Sequence, residues 1–211
     1  MYVICTAGHV DHGKSTLVEA LSGIDPDRLI EEKDRKMTID LGFAWMNSTE
    51  MGTIGIIDVP GHIDFIGNML AGVSSVTAVV LVVASDEGVM PQTIEHIAIL
   101  DLLQVQHGIV VVTKTDLINQ SEWIDLVHEE IVDQLENTSL SGIRILNYSS
   151  LTGNVFDIKK AILECLNKNT TAVQGDVPRL NVDRSFTLAG FGTVVTGTTA
   201  SGSIGVGETV K

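Results

Sequence analysis

Near the start of the chain, Gly8-His9-Val10-Asp11-His12-Gly13-Lys14-Ser15 has the types and spacing of a phosphate cradle, G-x-x-x-x-G-K-[ST]. Glycines let the backbone curl so that successive N–H groups converge on an anion, and a helix opening at the end of the loop adds partial positive charge. Asp11, His12, Gly13, Lys14, Ser15 and Thr16 would line such a cradle. The Lys14 ammonium can reach the outer phosphates, and the Ser15 hydroxyl can ligate Mg²⁺.

Three further segments can complete a nucleotide site. Asp58-Val59-Pro60-Gly61 places a carboxylate at the end of an apolar run, where Asp58 can hold Mg²⁺ through water and the Gly61 N–H can meet a γ-phosphate. Thr38 follows a polar, charged stretch, Asp25 to Lys36, that reads as a loop. A Thr there either closes the Mg²⁺ shell when a γ-phosphate is bound, giving an order–disorder switch, or is an ordinary exposed residue. Thr113-Lys114-Thr115-Asp116-Leu117 carries a carboxylate, Asp116, able to accept hydrogen bonds from guanine N1 and N2. Adenine lacks that donor pair, and sites of this kind discriminate by factors on the order of 10⁴. The Lys114 stem can pack on the base or ribose. Ser149-Ser150-Leu151 can donate backbone N–H groups to guanine O6.

These segments need a scaffold that brings distant loops to one edge. From residue 2 to about 167, short Val/Ile-rich runs alternate with longer amphipathic ones, the pattern of a doubly wound, mostly parallel α/β sheet. Strands are expected at about 2–7, 41–47, 53–58, 77–84, 108–113 and 143–147. Helices are expected at about 14–22, 63–73, 91–105, 121–137 and 154–167. In 121–137, Trp123, Leu126, Val127, Ile131 and Leu135 recur at helical spacing. Polar residues then mark a linker, and alternating residues with Gly-rich turns follow from Arg179. The expected organisation is a nucleotide-binding domain over 1–170, a linker over 171–178, and over 179–211 the beginning of a β-barrel too short to close on itself.

Composition narrows the classes. The 211 residues are 44% hydrophobic and 19% charged, which suits a folded globular chain and excludes a disordered tail. No apolar run approaches the length of a membrane span, and a Gly-rich motif follows the apolar N-terminus without a basic flank, so neither a transmembrane helix nor a signal peptide is expected. Two distant cysteines, Cys5 and Cys165, suit reduced thiols and a cytoplasmic location. The net charge of −14 opposes bulk adhesion to nucleic acid or anionic membrane, so an RNA partner would need a local basic patch or parts outside this chain.

The order of the motifs resembles that of the translational GTPases, and within them the bacterial selenocysteine-specific elongation factors, relatives of elongation factor Tu. The resemblance runs from about Val3 to Gly207. Residues 7–16, AGHVDHGKST, are shared with the wider group; the branch is marked by 27–43, DVPGH (58–62), NMLAG (68–72), EGVMPQT (87–93), EHIAIL (95–100) and 182–198. The resemblance implies GTP and GDP as ligands, Mg²⁺ as cofactor, and delivery of selenocysteyl-tRNA to the ribosome for UGA recoding. It implies that His62 orders the attacking water, that Val10 and Met37 form an apolar gate beside it, and that Asp11 lies near the transferring phosphate. It also implies that Asp183 and Arg184 line a selenocysteine pocket. A selenolate beside Arg184 would be favoured over a serine hydroxyl; an ordinary salt-linked strand end is the other reading of that pair. His9 and His12 are read as structural.

Two departures stand out. Thr113 occupies a position where most GTPases have Asn, and Lys36 precedes Met37 where Gly is common. Recognition of the mRNA selenocysteine-insertion hairpin is expected only through C-terminal domains absent here. Alternatives are another translational GTPase of the elongation factor Tu type, a metabolic P-loop GTPase subunit of a sulfate-activating enzyme, an ATP-using kinase, and a non-hydrolysing GTP-dependent scaffold. Asp116 at the base site opposes the kinase.

Overall fold

The computed structural model describes residues 2–26, 41–61, 76–153, 155–168 and 177–209. The expected helix at 63–73 lies outside these residues. The chain builds β1 (Tyr2–Ala7), α1 (Lys14–Ser22), β2 (Gly42–Ser48), β3 (Gly52–Asp58), β4 (Ala78–Ala84), α2 (Pro91–Leu102), β5 (Gly108–Thr113), α3 (Ser121–Leu135), β6 (Arg144–Asn147), α4 (Phe156–Lys168), β7 (Arg179–Leu188) and β8 (Gly192–Ser201).

Among the described residues, six strands form one sheet in the order β2-β3-β1-β4-β5-β6. All neighbours run parallel except β2 and β3, which pair antiparallel from Gly42 opposite Asp58 to Ser48 opposite Gly52. β4 and β5 are buried along their whole length, as their unbroken Val/Ile/Leu runs require of strands covered on both faces. The period-two alternation of side chains divides the core into two layers. Val3, Cys5, Val79, Leu81, Val110 and Val112 face one way, packed with Ile97 and Leu100 of α2 and Val127, Ile131 and Leu135 of α3. Ile4, Val80, Val82, Ile109 and Val111 face the other, against Leu17, Val18 and Leu21 of α1 and Ile158, Ile162 and Leu166 of α4.

Cys5, inside the first layer, is pushed up to about 12 by burial, with the Asp58 charge adding to the effect. Such a thiol is inert at neutral pH.

One helix ends earlier than expected. α2 stops at Leu102 and not near 105, because Gln104 takes a left-handed φ of 55° and the Val105 N–H turns back to the Leu100 carbonyl. In α3, Val127, Ile131 and Leu135 are buried, but Trp123 and Leu126 are 44% and 57% exposed. Trp123 is held by its indole N–H donating to the Ser85 carbonyl at 2.7 Å.

β7 and β8 form a separate antiparallel pair with a bulge between Val182 and Arg184, the start of an all-β barrel. Among the described residues, no helix is long and apolar enough to cross a membrane.

Candidate functional site

The strand order reverses at β1: the chain places β3 on one side of it and then crosses to β4 on the other. In such sheets the crevice beyond the carboxyl ends of the strands, at the reversal, is where ligands sit. The loop after β1 opens there. Gly8 has φ 135°, Asp11 φ 60° and Gly13 φ 86°, so the loop turns through left-handed geometry before α1 begins at Lys14. Asp11 adopts this conformation without being glycine and is exposed at the rim of the loop. A Cβ on Gly8 would run into the Val82 carbonyl, so only glycine fits where the loop crosses β4. Thr16 is exposed on the first turn of α1.

Lys14 is buried, and its ammonium donates to the His9 carbonyl at 2.7 Å. The Ser15 hydroxyl donates to Asp58 Oδ2 at 2.7 Å, bringing together the two expected metal-site residues. Asp58 is fully buried at the end of β3. Its other oxygen accepts from the Thr6 hydroxyl, which in turn accepts from the Val59 N–H at 3.2 Å. A buried carboxylate anchored by two hydroxyls is fixed in direction, which suits a group that must face a cation. Gly61 lies directly against the loop: a Cβ there would stand 2.7 Å from Lys14 Nζ, 2.8 Å from the Val10 nitrogen and 3.0 Å from the Gly8 oxygen. The absence of a side chain at 61 is therefore a requirement of the close approach.

Thr113 ends β5, and its hydroxyl donates to the His12 carbonyl at 2.7 Å, tying the third strand end to the phosphate loop. The departure from Asn thus keeps a bond between the two loops. After it, Lys114 takes φ 56°, and its ammonium lies 3.3 Å from Asp86. Asp116 stands exposed in the short 3-10 turn Thr115–Leu117. The Thr115 hydroxyl donates to the Tyr148 carbonyl at 3.2 Å, and the Tyr148 N–H to the Val112 carbonyl at 2.8 Å, so the turn after β5 and the loop after β6 are held side by side. In that second loop, the buried Ser149 hydroxyl accepts from the Leu151 N–H at 3.1 Å. Ser150 is exposed, and Leu117 and Leu151 expose apolar side chains, 57% and 80%, beside Asp116.

The loop histidines are neutral members of the scaffold. His12 is fully buried, with Nδ1 accepting from the Ala84 N–H at 3.2 Å, so the proton sits on Nε2 and is donated to Glu87 at 3.1 Å. Burial lowers its pKa to about 4 against the opposing pull of Glu87. His9 packs edge-on to His12 at 5.1 Å, and burial lowers its pKa as well.

Arg184 stands on β7. Its guanidinium donates to the Leu41 carbonyl at 3.0 Å and lies 5.3 Å from the Phe43 ring centre, reaching from the β7–β8 pair to the start of β2. The side chains of Met37, Thr38 and His62, and the Asp183 side chain, lie outside the described residues. Sequence reasoning left Thr6, Glu87, Gln92, Thr115 and His96 without roles, although each bonds to a loop of the site. Gln92 and His96 fall in segments already marked by the family resemblance.

Among the described residues no cluster of three His, Cys, Asp or Glu side chains forms a metal site.

Comparison with known proteins agrees with this geometry. The chain is 46% identical over 210 residues to the selenocysteine-specific elongation factor of Desulfomicrobium baculatum, covering 99% of this chain and 33% of that one. It is 42% identical over 208 residues to the corresponding Escherichia coli factor, covering 99% and 34%. The chain thus spans about a third of the length of these relatives. A crystal structure of bacterial selenocysteine-specific elongation factor superposes with a TM-score of 0.87 at 40% identity, over 95% of this chain and 34% of that one. The Methanococcus maripaludis translation elongation factor SelB, in complex with the GTP analogue GppNHp, superposes with a TM-score of 0.83 at 32% identity, over 98% and 43%. The model of the elongation factor Tu GTP-binding domain matches residues 1–174. That match covers most of the chain, and the chain belongs to the elongation factor Tu GTP-binding domain family.

Proposed function

We propose that the chain is the GTP-binding domain and following linker and barrel start of a selenocysteine-specific elongation factor, with boundaries at 1–170, 171–178 and 179–211. In this reading the factor hydrolyses GTP to GDP and phosphate while delivering selenocysteyl-tRNA to the ribosome, in the cytoplasm. The observation that carries it is the convergence of the β1, β3 and β5 ends, where Ser15 meets Asp58 and Thr113 meets the His12 carbonyl. The selenocysteine assignment is supported by similarity to two such factors over 99% of the chain.

Residues 11–16 would cradle the phosphates, with Lys14 supplying positive charge. Ser15 and Asp58 would hold Mg²⁺, joined by Thr38, and the ion would supply neutralisation of phosphate charge. Asp116 and Lys114 would read guanine, with Leu117 and the 149–151 loop enclosing the base. His62 would orient the attacking water behind Val10 and Met37, with Asp11 close to the transferring phosphate. Asp183 and Arg184 would form the aminoacyl pocket. No arginine is placed at the phosphate site by the sequence motifs. Intrinsic turnover is therefore expected on the order of 10⁻⁴ to 10⁻² s⁻¹, with the ribosome supplying the missing order.

The test is nucleotide competition against a bound fluorescent guanine nucleotide. GTP and GDP should displace it, and ATP and ADP should not. Asp116→Ala should lower the preference for guanine by orders of magnitude. Equal displacement by ATP in the unaltered protein would remove the guanine site and the elongation-factor reading with it. Binding of selenocysteyl-tRNA against seryl-tRNA, by a longer chain with a complete second domain, then decides the selenocysteine assignment.

A further inference from the structure

Two segments that mark the family resemblance, 87–93 and 95–100, have no part in the nucleotide chemistry above. In the structure they converge on the phosphate loop from outside. Gln92 Oε1 accepts from the Val10 N–H at 3.0 Å. His96 Nδ1 accepts from the Gly8 N–H at 2.8 Å. Glu87, in the turn before α2, accepts from His12 Nε2. Gln92 and His96 are four residues apart, so they lie on one face of α2, one turn above the other.

The chemistry of this arrangement is specific. The loop must direct some N–H groups inward at an anion, and an alternating backbone leaves others pointing out. Gly8 and Val10 donate outward, and each meets a side-chain acceptor from a single rigid helix. Without an acceptor, a buried N–H such as that of Gly8 would favour a loop conformation that turns it elsewhere. His96 is 2% exposed, and an imidazole so placed is unusual unless its lone pair is in use.

We propose that Gln92 and His96 are positioning residues that hold the phosphate loop in its nucleotide-binding shape, with Glu87 bracing the same loop through His12. This rests on the reading of the loop as the phosphate cradle. A loop held this way needs no ordering when the nucleotide arrives and cannot relax easily while it is bound. Loss of either acceptor should therefore speed nucleotide release.

The experiment uses the full 211-residue chain with a fluorescent GDP and Mg²⁺. His96→Phe fills the volume without an acceptor, whereas His96→Asn leaves a gap but sets an oxygen near the Nδ1 position. His96→Phe and the near-isosteric Gln92→Met should release GDP about tenfold faster, the factor equivalent to one lost hydrogen bond. His96→Asn should restore a rate near the unaltered one, although it packs less well. A residue that merely fills the core would show the reverse: Phe tolerated, Asn harmful. That pattern, or unchanged release in Gln92→Met, overturns the proposal. Amide hydrogen exchange at Gly8 and Val10, measured without nucleotide, gives a second reading. Exchange at Gly8 should rise about tenfold in His96→Phe and at Val10 in Gln92→Met. If the unaltered chain retained no guanine nucleotide, the cradle reading would fail, while the exchange data would still decide whether α2 holds the loop. If His96→Phe does not fold, the partly exposed Gln92→Met carries both measurements.

Discussion

At the scale of single residues, the site is built from atoms whose neighbours leave little latitude. Gly61 is the sharpest case. A methyl group there would meet Lys14 Nζ, the Val10 nitrogen and the Gly8 oxygen at 2.7–3.0 Å, and two of these are backbone atoms that cannot rotate aside. Gly61→Ala must displace the loop or the end of β3. Overpacking of this kind costs about 1–3 kcal/mol, or roughly 5- to 150-fold in affinity if it falls on the bound state. Titration with GDP and GTP should show weakening of that order; unchanged affinity for both would mean that Gly61 does not press on the loop. Thr113 shows the same economy. Its hydroxyl makes one bond to the His12 carbonyl. Removing it in Thr113→Val leaves that buried carbonyl one donor short, at a cost of about 0.5–1.5 kcal/mol.

At the scale of elements, α2 joins the core to the site, and its buried histidine makes the joint sensitive to acid. Burial lowers the His96 pKa to about 3, with Lys14 and then His9 pushing the same way. The unfolded chain binds that proton near 6.5 and the folded chain only near 3, so the stability tied to neutral His96 is fully present above 6.5 and falls as pH drops below it. The slope from this one group approaches about 1.4 kcal/mol per pH unit. Urea unfolding at successive pH values from 7.5 to 4.5 should show a shallower decline in His96→Asn than in the unaltered protein. Parallel curves would mean that His96 already carries a proton in the fold. The strands and the phosphate loop were legible in the sequence because local spacing and unbroken apolar runs suffice for them. Bonds between α2 and the loop were not, since they join residues 82 and 88 positions apart and depend on how a helix lies across a sheet. The helical period over 121–137 names a face, but tertiary packing decides how many turns of that face touch the sheet, and Trp123 and Leu126 stay exposed.

At the scale of the whole molecule, Arg184 joins the β7–β8 pair to the nucleotide-binding sheet through Leu41 and Phe43. Sequence resemblance assigned it to a substrate pocket, and its contact with Leu41 and Phe43 could not be read from spacing because 143 residues separate Arg184 from Leu41. Leu41 immediately precedes β2, and β2 pairs Gly42 with Asp58, a proposed Mg²⁺ ligand. The guanidinium is thus one hydrogen bond and one strand pairing away from the group that would hold Mg²⁺. A planar cation over an aromatic face contributes about 0.5–1 kcal/mol where solvent reaches it. A double-mutant cycle of Arg184→Gln and Phe43→Leu, read by urea unfolding, should therefore return a coupling energy of about 0.5–1 kcal/mol. The hydrogen bond to Leu41 is lost in both Arg184 variants and cancels from that coupling, so the cycle isolates the ring contact. If the coupling is zero, the ring contributes nothing to joining the two sheets. If it is present, any ligand that draws Arg184 towards the barrel must break this contact first, so its affinity would depend on the state of β2. Repeating the cycle with GDP and then with a non-hydrolysable GTP analogue would show whether the nucleotide changes the coupling.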